Sequence, residues 1–118
     1  YAWESLTAAG AEVTEPKGGF YLFPNFEPLR ERLAARNVND SITFCERLLE
    51  DTGVACLPGH VFGRPESEMS VRIACVDFDG AAALAAAEGG EAIDETFLCN
   101  YCGRVMEAVE QLATWVSR

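Results

Sequence analysis

Apolar residues recur at steps of three and four near the end of the chain. Leu98, Cys102, Val105, Met106, Val109, Leu112, Ala113 and Val116 fall on one stripe, which predicts an amphipathic helix. Residues 1–9 also read as helical and are stopped by Gly10. Between these two helices the period changes. Gly18–Phe26 is aromatic and β-prone, so it reads as a strand whose edge or end is marked by Pro24. Pro28 suits a first helical position, and Leu29 and Leu33 lie one turn apart in the helix that follows. Asp40 or Ser41 can cap the next helix, which places Ile42, Cys45, Leu48 and Leu49 on one face and stops at Gly53. Val54–Leu57 reads as a short buried strand ended by Pro58-Gly59, and residues 59–68 as a loop rich in turn formers and acids. Met69–Phe78 carries apolar residues on both faces, as a central strand covered on both sides would. Asp79 caps an alanine-rich helix, Gly80–Glu88, broken by Gly89-Gly90. The sum is an α+β fold, a small sheet of about three strands with helices packed on it.

Size and charge narrow the function. The 118 residues match one domain, and a 49% apolar share fills a modest core. The apolar runs are too short to span a bilayer, so no membrane partner is expected. No signal-like leader precedes Tyr1. The chain opens without Met inside a predicted helix, which suggests a piece of a longer protein, although a trimmed chain would look the same. Nineteen acidic residues against nine basic ones give a net charge of −10, which repels phosphate backbones and argues against nucleic-acid binding. Five cysteines in apolar segments suit free thiols in a reducing compartment better than a disulfide framework, so a cytoplasmic location is expected.

Arg72 is the outstanding candidate for chemistry. It interrupts the apolar run Ser70-Val-Arg-Ile-Ala-Cys-Val76, where a buried guanidinium requires an anion. Its planar fork matches a carboxylate with two parallel hydrogen bonds. An internal partner such as Asp77 or a glutamate, or a strand edge reaching water, would satisfy it equally well. In Pro58-Gly-His-Val-Phe-Gly63 two glycines permit a tight bend close to a ligand, and an ordinary loop would read the same. His60 lacks an obvious acid partner or nucleophile. Cys99-Asn-Tyr-Cys102 has CxxC spacing, but Cys102 falls on the apolar stripe, so core packing is expected and no metal. Asp77 and Asp79 could face the same way, although Asp79 is better explained as a cap. Lys17, the sole lysine, lies beside Pro16 and two glycines in a turn, a poor setting for the desolvated amine of a Schiff base. No phosphate-cradling glycine loop occurs.

Three blocks resemble one family. Residues 12–23, Glu-Val-Thr-Glu-Pro-Lys-Gly-Gly-Phe-Tyr-Leu-Phe, resemble the Pro-x-Gly-x-Phe-Tyr strand of the class I/II aminotransferases of fold type I, of the aspartate-aminotransferase kind. Residues 48–63, Leu-Leu-Glu-Asp-Thr-Gly-Val-Ala-Cys-Leu-Pro-Gly-His-Val-Phe-Gly, are similar to its Leu-Leu-Glu-x-x-Gly-Val-x-x-x-Pro-Gly-x-x-Phe-Gly segment. Val71-Arg-Ile-Ala74 is similar to the strand that carries the substrate-carboxylate arginine. The blocks keep the family's order, and the resemblance covers about residues 1–87.

The resemblance implies the family's C-terminal small domain, with a mainly antiparallel sheet. It implies that residues 1–118 form a single domain lacking the large pyridoxal-phosphate-binding domain. Arg72 would then hold the α-carboxylate of an amino acid or 2-oxo acid, with Gly19 and Phe20 also lining the substrate. The Gly18–Phe20 turn and the Pro58–Gly63 loop would face a cleft closed by domain rotation. The Schiff-base lysine would belong to the missing large domain, leaving no catalytic, cofactor-binding or metal residue here. Pyridoxal phosphate is expected in the full-length homodimer and not on this chain, which alone would be inactive. The family's substrates and the large domain of the same chain are the implied partners. His60 stands where small residues are common in the family, which leaves that loop's chemistry open. Two other readings fit the residues without the resemblance. One is a stand-alone α+β binding or regulatory module for an acidic ligand or a protein partner. The other is a structural fragment whose exposed apolar faces associate.

Overall fold

The computed structural model describes residues 1–118. Helix α1 spans Ala2–Ala8, strand β1 Tyr21–Leu22, α2 Arg30–Ala34, α3 Ser41–Thr52, β2 Leu57–Pro58, β3 Val71–Ala74, α4 Gly80–Glu88 and α5 Glu95–Ser117. Short 3-10 turns cover Glu27–Leu29 and Gly59–Phe62. The sheet is antiparallel throughout, in the order β1-β3-β2. Tyr21 lies opposite Ala74 and Leu22 opposite Ile73, while Leu57 pairs with Arg72 and Pro58 with Val71. Isolated bridges from Asn25 to Glu12 and to Ser70 extend the pairing past β1. The α+β fold with a three-stranded sheet is therefore the one the pattern implied.

Capping follows sequence chemistry. Of the two candidates, Asp40 caps α3, accepting from Thr43 N at 2.7 Å and from its hydroxyl at 3.0 Å. Asp79 accepts from Ala82 N at 3.0 Å, and Asp94 from Phe97 N at 3.0 Å. Gly53 ends α3 in the left-handed region (φ 77°), where a side chain would be strained.

Alternation along the strands separates two faces. Leu22 and Val71 point into a core shared with Leu6, Phe26, Leu33, Phe44, Leu48, Val109, Leu112 and Val116. At its centre Phe26 stacks on Phe44 at 4.9 Å, and Phe44 meets the edge of Trp115 at 5.1 Å. The Trp115 Nε1–H donates to Asp51 at 2.8 Å, so the ring is buried with its polar atom satisfied. On the opposite face Tyr21, Leu57 and Ala74 are exposed and Arg72 is half-buried.

Several expectations fail for definable reasons. The strands are shorter than predicted: β1 and β2 hold two residues each and β3 four. The central strand stops at Ala74, short of Phe78, and with Val71 buried but Ala74 exposed it is covered on one face only. Val54–Leu57 is not a buried strand; Leu57 is 47% exposed because it points to the same open face as Arg72. Leu49 is 50% exposed, and Phe44 takes its place on the buried face of α3. Cys102 does not continue the stripe: its backbone leaves helical geometry (φ −125°, ψ 21°), kinking α5, and its side chain is half-buried.

Candidate functional site

Strand period and strand order together place Arg72 on the uncovered face of the middle strand. Its guanidinium carbon lies 4.2 Å from the centre of the Tyr21 ring and 4.3 Å from that of Phe62. Both distances are within cation–π range, and a flat cation between two rings keeps its edge N–H groups clear of them. The two rings arrive by different routes. Tyr21 comes from β1, opposite Ala74 and on the same face as Arg72. Phe62 comes from the 3-10 turn after β2, which folds back beside the strand, and its ring meets Phe23 edge-on at 5.9 Å. Arg72 is half-buried and has a small cavity of about 150 Å3 beside it, lined also by Ala55, Cys56, Leu57 and Ala74.

No carboxylate of the chain neutralises Arg72. The four ion pairs belong to Arg30, Arg47, Arg64 and Arg104, with Glu27, Glu50, Glu68 and Asp77 as their partners. Asp77, a candidate internal partner, sits 3.0 Å from Arg104 instead. The Arg30 hydrogen bond holds the Glu27 carboxyl below its ordinary pKa, and Arg64 does the same for Glu68. A half-buried guanidinium with oriented rings and no internal counter-charge can take a planar anion from outside the chain.

The turn that delivers Phe62 depends on Gly59. The Gly59 N–H donates to Ser70 O at 2.7 Å, and a Cβ at this position would lie 2.1 Å from Ser70 Oγ, 3.0 Å from its carbonyl oxygen and 3.2 Å from its Cβ. The hydroxyl could rotate away, but the other two atoms could not. Gly59→Ala is expected to destabilise the chain by about 1–3 kcal/mol in urea unfolding, the usual range for overpacking. An unchanged midpoint would show that the turn is free to relax.

The remaining candidates are scattered. Gly19 (φ 75°) opens onto empty space, and Phe20 is 52% exposed, its ring 4.4 Å from that of Tyr21. They flank the aromatic wall without touching the guanidinium's other ring. His60 is exposed on the turn, and Cys99 is exposed on α5. A groove of about 450 Å3 between Ile73 and Val105 is a separate feature, crossed by the Asp77–Arg104 pair. The sequence reading missed Tyr21 and Phe62 as a pair. The period-two placement of Tyr21 was a usable signal, but nothing in sequence set the path of the turn.

Residues 1–87 match the family model described as Aminotransferase class I and II. The chain belongs to that family. An asparagine–oxo-acid transaminase of Streptococcus mutans is 40% identical over 58 residues, which are 49% of this chain and 14% of that protein. The aspartate aminotransferase of Thermotoga maritima is 39% identical over 62 residues, 52% of this chain and 14% of that one. The solved Thermotoga maritima aspartate aminotransferase superposes on 99% of this chain with a TM-score of 0.59 and 26% identity. The aromatic aminotransferase of Pyrococcus horikoshii superposes on 96% with a TM-score of 0.56, again at 26% identity. This aminotransferase-family chain accounts for only 21% and 22% of the two solved chains.

The family is generally dependent on pyridoxal phosphate, and the residues present do not compose a site for it. Lys17, the only lysine, is exposed just before the bends at residues 18–20, where its amine has no desolvating wall. Gly18 and Gly19, which follow it, also face open space.

Proposed function

We propose that the chain is the C-terminal small domain of an amino-acid:2-oxo-acid aminotransferase, in which Arg72 binds the substrate α-carboxylate. The unpaired guanidinium held between Tyr21 and Phe62 carries this reading. Two parallel N–H···O bonds to a carboxylate would fix both the position and the plane of the acid group. The bond to be broken at Cα is thereby held in one direction, a positioning contribution to rate. Pyridoxal phosphate, bound by the rest of the enzyme, would supply the electron sink. The exposed aromatic face around Phe20, Tyr21, Phe23 and Phe62 would form one wall of the cleft, with Gly19 and Phe20 at its rim. A large domain of the same chain would close over it in a cytoplasmic homodimer, and residues 1–118 would be one domain of that enzyme.

A stand-alone module for an acidic ligand would use the same arginine. The match over residues 1–87 favours the enzyme. The full-length protein, supplied with pyridoxal phosphate, is expected to move an amino group between an amino acid and a 2-oxo acid. The isolated 118-residue chain is expected to do neither that nor develop a stoichiometric cofactor absorbance band. Absence of transfer by the full-length protein across a panel of amino acids would reject the proposal. A tight, stoichiometric adduct on Lys17 would reject the division of labour.

A further inference from the structure

We propose that Cys45 and Cys56 are an oxidisable dithiol site that closes reversibly to an intramolecular disulfide. Their sulfurs are 3.4 Å apart, in direct S–H···S contact. Cys45 lies beside Phe44 on the buried face of α3 and belongs to the core, while Cys56 immediately precedes β2 and is half-buried. The turn between them is held by a chain of hydrogen bonds. Thr52 Oγ1 donates to Leu48 O at 2.7 Å, Val54 N donates to Thr52 Oγ1 at 3.1 Å, and Gly53 N donates to Leu49 O at 2.9 Å. This turn returns the chain alongside α3, so the thiols meet because the backbone places them together. A disulfide requires the sulfurs to approach by roughly another 1.4 Å, a distance that side-chain rotation can supply.

The remaining thiols lack this arrangement. Cys99 is exposed, Cys102 sits at the kink of α5 and Cys75 is half-buried; none has another sulfur in bonding contact. Formation of this dithiol does not depend on carboxylate binding by Arg72.

The two thiols have unequal access, which sets the order of events. Cys56 lines the cavity of about 150 Å3 that also contains Arg72, so a small disulfide bearing carboxylates meets a positive charge on its way in. Cys45 is only 9% exposed. The hydrogen bond to Cys56, and then burial, raise the pKa of Cys45, so the more accessible Cys56 is the thiol that meets the reagent first. In the first step Cys56, having lost its proton, attacks a low-molecular-weight disulfide. A Cys56–S bond forms, the reagent's own S–S bond breaks, and one thiolate leaves and takes up a proton. In the second step Cys45 gives up its proton and attacks the Cys56 sulfur. The protein disulfide forms, and the second reagent thiolate leaves with that proton. Two protein thiols are oxidised and one reagent disulfide is reduced to two thiols.

The test treats the reduced full-length protein with oxidised glutathione, blocks free thiols with N-ethylmaleimide present throughout unfolding, and maps the peptides by mass. The expected result is a Cys45–Cys56 linked peptide, two hydrogens lighter than its parts and lost on reduction, with Cys75 and Cys102 alkylated. Cys45→Ser should stall with glutathione on Cys56, whereas Cys56→Ser should leave Cys45 free for the maleimide. The wild-type map decides the matter even if a variant fails to fold. Recovery of both Cys45 and Cys56 as alkylated residues, or linkage of either to another cysteine, would overturn the proposal.

Discussion

In the full-length enzyme, Arg72→Ala is expected to lower kcat/KM for the amino-acid substrate by about 30-fold to 5,000-fold. The range follows from the roughly 2–5 kcal/mol lost when one partner of a hydrogen-bonded charge pair is truncated. Part of the loss should appear in kcat, because a substrate held without its carboxylate anchor also loses the orientation of its Cα–H bond. Arg72→Lys should recover only a fraction, since an ammonium cannot offer two parallel donors or lie flat between Tyr21 and Phe62. The folded state should hardly notice either change. Arg72 is half-buried and makes no ion pair, so the main cost to stability is the two cation–π contacts, about 1–2 kcal/mol together. Steady-state kinetics beside urea unfolding separates the two effects.

Trp115→Ala should have the largest effect on folding. Removing the ring deletes the edge contact to Phe44 and leaves Asp51 without its indole donor. It also uncovers Arg36, whose guanidinium carbon is 4.5 Å from the ring and whose Nε and one terminal nitrogen are buried without an acceptor. Burial, and then the charge of Arg118, already lower the pKa of Arg36 below its usual value. Large-to-small changes of this kind cost about 3–5 kcal/mol. A domain of this size has about 5–15 kcal/mol in total, so the variant should lose a large share of its stability and unfold at a clearly lower urea concentration. Trp115→Phe keeps the ring face and loses mainly the bond to Asp51, a smaller cost of about 1–3 kcal/mol. A midpoint for Trp115→Ala within experimental scatter of the parent would mean that the aromatic cluster does not organise the core.

The helices were legible because their signals are local. Asp40, Asp79 and Asp94 cap through their own side chains, and Gly53 stops α3 through its own backbone. Strand lengths were not legible, because pairing depends on a partner elsewhere in the chain: β2 ends where the turn at Gly59 bonds to Ser70. Leu49 satisfies helical spacing as well as Phe44 does, and only the position of the Phe26 and Trp115 rings makes Phe44 the buried one. Arg72 stood out as a charge in an apolar strand. Its release from an internal partner was not readable, because Asp77 could have reached it; the structure gives Asp77 to Arg104 across to α5. The Cys45–Cys56 contact likewise requires the turn at Gly53 to be built before it can be seen.

The most direct test compares two substrates of the full-length enzyme, an amino acid and the amine that remains when its α-carboxylate is removed. If one guanidinium receives that acid group, Arg72→Ala should depress turnover of the amino acid strongly and leave the slow reaction of the amine unchanged. An equal loss for both substrates would contradict it, because the substitution would then be acting on the fold or on closure instead of on the carboxylate.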